Sequence, residues 1–180
     1  MRVIETKLQG CVIIEPDVHG DERGFFLETF QEERYRKFAG INEPFVQDNY
    51  SRSSYGVLRG LHFQIEKPQG KLVRVVRGSV FDVSVDIRPS SKTFGQWISV
   101  ELTEENKKQI WIPPGFAHGF LVLSDSADFE YKCTNFYDPH DEGIIHWQDE
   151  SLAIEWPKDI DINISDKDSN ALSFNSIFKS

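Results

Sequence analysis

Val80-Phe81-Asp82-Val83-Ser84-Val85-Asp86-Ile87 is the most regular stretch of this chain. Apolar Phe81, Val83, Val85 and Ile87 alternate with Asp82, Ser84 and Asp86, the two-residue repeat of a half-buried strand. Just before it, Lys71 to Val76 is rich in β-branched residues and Arg77-Gly78-Ser79 supplies a turn, so the two runs predict a hairpin. Further out, Trp97 to Leu102 alternates again, and strands are expected at Gln109 to Ile112, Gly119 to Leu123, Phe129 to Asn135 and Ile144 to Trp147. Helical signals are few. Phe30 to Ala39 stops at Gly40, Thr103 can cap one turn through Glu104 and Glu105, and Ser165-Asp166-Lys167-Asp168 can cap a short C-terminal helix. Many short strands punctuated by Gly, Pro and Asn predict a mainly β protein, an antiparallel sandwich or barrel able to hold one ligand between its sheets.

The 180 residues suit one domain, 1–180, with 39% hydrophobic and 27% charged residues. A net charge of −9 argues against a protein whose main task is to neutralise nucleic-acid phosphates, although a local Arg/Lys cluster can still hold a small anion. Cys11 and Cys133 form no CxxC pair and are expected to be reduced thiols, consistent with a cytoplasmic protein. No run is long and apolar enough to read as a membrane span or a signal peptide.

Two histidines stand in contexts that can carry chemistry. His62 lies among apolar neighbours in Leu58 to Gln64, and His118 follows the turn in Pro113-Pro114-Gly115-Phe116-Ala117-His118-Gly119. Either can equally be a hydrogen-bonded core residue, whereas His19 and His140 sit in polar, turn-like surroundings. Pro-x-Gly-x-x-His resembles half of the second motif of the cupin barrels. Metal-binding cupins, however, pair His-x-His with a Glu, and here Gln64 stands two residues after His62, while Val122 replaces the Asn that often closes the second motif. Too few ligands converge for a metal site, so none is expected. Arg59 and Lys71, with Arg23 and Arg52 from other segments, and Tyr131 in Phe129-Glu130-Tyr131-Lys132 offer a different chemistry. Imidazole, a cation and a phenol suit proton removal beside a ketone.

A series of blocks then becomes specific: Asp21 to Phe26, Val46 to Asn49, Leu58 to Gln64, Gln69 to Arg74, Phe81 to Val83, Phe94 to Trp97, Trp111 to Pro113, Gly115 to Phe120, Tyr131 to Asn135 and Glu155 to Pro157. In number and order they closely resemble the dTDP-4-dehydrorhamnose 3,5-epimerases, nearly end to end, with the likeness weakening after Pro157. The resemblance implies a cupin-like jelly roll whose core spans about 45–150. It also implies a homodimer with exchanged N-terminal segments, and a cofactor-free inversion on both sides of the ketone of dTDP-4-dehydro-6-deoxyglucose. It assigns His62 as general base, Asp168 as its partner, Lys71 as the enolate stabiliser and Tyr131 as the acid on the opposite face. On the residues alone Asp168 reads as part of a helix capping box, Tyr131 as a strand aromatic and Lys71 as a surface lysine. The same family pattern places Arg23, Glu28, Gln47, Asp48, Asn49, Arg59, His118, Glu142 and Lys167 around the ligand, with Tyr137 stacked on the thymine. Arg23 and Glu28 become candidates for the neighbouring subunit's site.

Overall fold

Period-two patterning becomes strand throughout the computed structural model, which describes residues 1–178. The N-terminal part holds β1 (Arg2–Glu5), β2 (Val12–Glu15), β3 (Val18–Asp21), β4 (Gly24–Leu27), α1 (Glu32–Ala39), β5 (Gln47–Ser54) and β6 (Val57–Gln64). Then follow β7 (Lys71–Arg77), β8 (Ser79–Asp86), β9 (Trp97–Thr103), β10 (Gln109–Ile112), β11 (Phe116–Val122), β12 (Ser126–Cys133) and β13 (Glu142–Ile144). The tail adds β14 (Asn163–Ile164), α2 (Asp166–Ser169) and α3 (Phe174–Phe178). Helix α1 ends as its sequence predicts, on Gly40 in the left-handed region at φ 70°. Thr103 caps a single turn by accepting from the Glu105 and Asn106 amides.

Two six- and five-stranded sheets face each other, one ordered β1-β2-β10-β7-β12-β5 and the other β13-β6-β11-β8-β9, antiparallel except where β14 joins β6 in parallel. The sheet therefore reaches beyond residues 45–150, since β1 and β2 extend it from the N-terminus. Between the sheets lies a core including Val73, Ile110, Phe120, Val122 and Phe129, where the Phe120 and Phe129 rings stack at 4.0 Å. Each such side chain contributes on the order of 1.5–3 kcal/mol on burial. Cys11 and Cys133 are both free and buried. No helix among the described residues is long and apolar enough to cross a membrane.

Two expectations are corrected. Lys71–Arg77 and the strand after it do not form a hairpin: β7 pairs β10 and β12 in one sheet, while β8 pairs β9 and β11 in the other. A turn does form at Gly78, but it carries the chain from one layer to the other. At φ 77°, any Cβ on Gly78 would lie 2.1 Å from the Ser126 carbonyl oxygen, so the corner packs against the β11–β12 turn. β8 is also not half-exposed. Its apolar set, Phe81, Val83, Val85 and Ile87, packs under the C-terminal segment with Leu152 and Phe174. Asp82, Ser84 and Asp86 are fully buried on the opposite face, towards the other sheet. The polar stripe lines the interior.

Candidate active site

Strand pairing brings the chemistry-bearing residues to one cavity. In the β6–β11 pair His62 stands opposite His118, followed by a register shift. Gly60 and Gly119 let these strands close there: a Cβ on Gly119 would lie 2.6 Å from the Arg59 carbonyl oxygen. From the facing sheet, β7 contributes Lys71, β12 contributes Tyr131, and edge strand β5 contributes Asn49 and Ser51. With Arg59, Phe120 and Phe129, these line a cavity of about 310 Å³.

His62 is oriented by the tail. β14 runs parallel to β6 and delivers α2 beside His62, with Ser165 at the N-cap. The capping reading and the functional one turn out to be compatible. The Asp168 amide donates to Ser165 Oγ at 3.1 Å, leaving the carboxylate free to lie 2.7 Å from His62 Nε2. Asp168 is buried, which pushes its pKa up, but the His62 contact and the Gly60 and Ser165 hydrogen bonds outweigh burial and hold it below the usual carboxylate value. A carboxylate accepting from Nε2 keeps the proton there and leaves Nδ1 as the basic nitrogen.

Lys71 has no ion-pair partner among the described residues, and its Nζ sits 5.9 Å from the Tyr131 ring centroid. Burial pushes its pKa below the ordinary 10.5, against the pull of Cys133, Asp82 and Glu142. Burial likewise pushes the Tyr131 phenol up to about 12, so it is protonated at neutral pH. Arg59 donates from Nε to Ser53 Oγ at 3.1 Å and has no carboxylate partner among the described residues. Two unneutralised cations thus face a cavity in a protein of net charge −9.

At the rim, Glu142 gathers several of the expected ligand contacts. Its Oε2 accepts from the Tyr137 hydroxyl at 3.1 Å and pairs with Lys167, and its Oε1 lies 3.9 Å from His62 Nδ1. Gln47 connects to the same rim, donating to Asn49 and accepting from the Tyr137 amide. Gln64 spends its amide on the Lys67 and Phe136 carbonyls and the Asp138 amide, fastening the rim loop to β6. Three expected ligand residues lie elsewhere in the single chain. Asp48 is exposed and pairs with Lys132 at 3.0 Å, because alternation along β5 turns it away from Gln47 and Asn49. Arg23 pairs with Asp21 on the exposed β3–β4 hairpin, and Glu28 pairs with Arg34 at 2.8 Å. Sequence reading missed Asp82, which lies 2.8 Å from His118 Nε2. The available signal was the polar half of the Val80–Ile87 alternation, assigned no place in the site.

A family model described as dTDP-4-dehydrorhamnose 3,5-epimerase matches residues 5–176. The chain is 55% identical over 175 residues to the dTDP-4-dehydrorhamnose 3,5-epimerase of Shigella flexneri, covering 97% of this chain and 96% of that protein. It is similar in structure to the dTDP-6-deoxy-D-glucose-3,5-epimerase of Legionella pneumophila Philadelphia 1 in complex with dTDP-4-keto-L-rhamnose. That match has a TM-score of 0.96 and 56% identity, covering 98% of this chain and 94% of that one. A 3'-monoepimerase from Streptomyces bikiniensis in complex with dTDP-quinovose is also similar, with a TM-score of 0.88 and 35% identity over 94% of this chain and 86% of that one.

Proposed function

This chain belongs to the dTDP-4-dehydrorhamnose 3,5-epimerase family, and on that premise we propose how its residues invert C3 and C5 of dTDP-4-dehydro-6-deoxyglucose to give dTDP-4-dehydro-L-rhamnose. His62 Nδ1 removes the proton from a carbon beside the C4 ketone, and Asp168 stabilises the imidazolium that forms. The C–H electron pair moves into the ring, and the ketone becomes an enolate whose oxygen is met by the Lys71 ammonium. Tyr131 returns a proton to the other face, so removal and return together invert the carbon. No oxidation state changes, so the step needs no redox cofactor. Lys71 and His62 supply the charge and the base without a metal.

Arg59 offers a planar fork of donors to the pyrophosphate, with His118, Asn49 and Gln47 around the sugar and Tyr137 against the base. Glu142 and Lys167 border the same rim. Arg23 and Glu28 join the site through a second copy of the chain. The β3–β4 hairpin supports this: it carries Arg23 and leaves Phe25 and Phe26 61% and 71% exposed, an apolar surface a neighbouring subunit would cover. The free thiols suit work in the cytoplasm. The observation that carries this reading is the shared cavity: base, cation and phenol line one 310 Å³ space, with the carboxylate directly behind the base.

NMR of the product formed from dTDP-4-dehydro-6-deoxyglucose tests it. Inversion at both C3 and C5 is expected. Inversion at C3 alone would assign the chain the reaction of its 3'-monoepimerase relative instead. The pH profile adds a second check. Lys71 loses its charge as pH rises through its lowered pKa, so kcat/KM should fall on the alkaline side below 10.5, well before the Tyr131 phenol ionises near 12. A flat profile up to the tyrosine range would remove Lys71 from the reaction.

A further inference from the structure

A second imidazole–carboxylate pair stands beside the first. His118 Nε2 lies 2.8 Å from Asp82 Oδ2, and both side chains are buried. The other Asp82 oxygen has no partner among the described residues, nor does the hydroxyl of Ser84, two residues along the same inward face of β8. No Lys or Arg lies within ion-pair distance of Asp82 among the described residues, so His118 is its one neighbour of that kind. A buried carboxylate with an imidazole N–H as its donor holds the proton on Nε2 and makes Nδ1 an acceptor. Burial holds His118 below the usual imidazole value, outweighing the opposing pull of Asp82, so the ring is neutral at neutral pH. Its Nδ1 has no hydrogen-bond partner among the described residues, and the ring lines the same cavity as His62, directly across the strand pair.

We propose that Asp82 is a positioning residue: it locks His118 in the Nε2-protonated tautomer, so that His118 offers the cavity a hydrogen-bond acceptor for a sugar hydroxyl. The division of labour follows from two histidines at adjacent positions. One ring, backed by Asp168, gains a proton during the reaction. The other, backed by Asp82, stays neutral and reads a hydroxyl without adding a second positive charge next to the first. The assignment rests on the cavity being the keto-sugar site, but the tautomer itself does not.

Nitrogen-15 NMR of the whole enzyme labelled in histidine, without substrate, reads the tautomer directly. At neutral pH, His118 should show an unprotonated Nδ1 and a protonated Nε2. In Asp82→Asn the acceptor-only carboxylate that fixes the proton on Nε2 is gone and the amide can donate as well as accept, so the Nδ1-protonated tautomer should appear. KM for the keto-sugar nucleotide should then rise about tenfold with kcat within about threefold, as one ground-state hydrogen bond is lost. A merely structural Asp82 would lower the Tm and leave both the nitrogen pattern and KM in place. The proposal is overturned by a wild-type His118 that is protonated on Nδ1, or by a reversed tautomer in Asp82→Asn with unchanged KM. Should Asp82→Asn not fold, the wild-type spectrum still decides. Wild-type enzyme that fails to turn over would count against the proposed reaction, whatever tautomer is seen.

Discussion

Replacing His62 with alanine is expected to cut epimerisation at both carbons by about 10³-fold or more, within the roughly 10²–10⁴-fold contribution of a positioned base. The loss should appear in kcat and kcat/KM together, because the proton transfer exists only in the transition state. His62 faces the cavity and is 31% exposed, so removing its ring opens no hole in the packed core. The Asp168 carboxylate would lose its strongest partner but keep the Gly60 amide as a donor. That orphaning costs about 1–3 kcal/mol, which for a chain of this length corresponds to a Tm lower by roughly 2–12 °C. A folded His62→Ala protein that epimerises at the wild-type rate would end the assignment of His62 as base.

Lys71→Met is expected to move activity and stability in opposite directions. Methionine keeps an unbranched apolar stem and removes the ammonium. With nothing to meet the enolate oxygen, kcat should fall about 10²–10³-fold, the range for removing one preorganised charge-stabilising group. Folding should become easier. The Lys71 pKa is lowered in the folded state, so below that pKa the folded protein disfavours the charged form relative to the unfolded chain, and the penalty vanishes with the charge. Lys71 has no ion-pair partner among the described residues, so the substitution leaves no carboxylate unpaired. Thermal unfolding should therefore show an unchanged or raised Tm beside the depressed kcat, the trade-off of a strained active-site charge. A lowered Tm with full kcat would make Lys71 a structural residue.

The strands were legible wherever side chains alternate, as at Val80 to Ile87 and Trp97 to Thr103, because the pleat imposes that period directly. Which sheet a strand joins was not legible. β7 and β8 are neighbours in sequence with a plausible turn between them, yet their partners are dictated by long-range packing in the core. The facing of β8 was hidden for a related reason. In a one-sided strand the polar face meets water, but here the C-terminal segment covers the apolar face and the cavity takes the polar one. Asp168 shows a further limit: its amide serves the helix cap and its carboxylate serves His62, so a single local motif satisfied two roles. The proposed catalytic residues are visible only through family resemblance, since they converge from three strands and a tail that no local pattern connects. Asp48 illustrates the residue-level cost, because a motif match carries no information on which face of β5 a side chain takes in one subunit.

Proton return across the ring is most directly tested by running Tyr131→Phe in D₂O and assigning deuterium and configuration at C3 and C5 separately. The phenol is lost while His62 on the opposite sheet and its partner Asp168 in α2 stay in place. The expected result is deuterium washed into sugar that largely keeps its starting configuration, as His62 removes and returns protons on one face. Tyr131→Phe that inverts both carbons at the wild-type rate would contradict the opposed pair on which the whole mechanism depends.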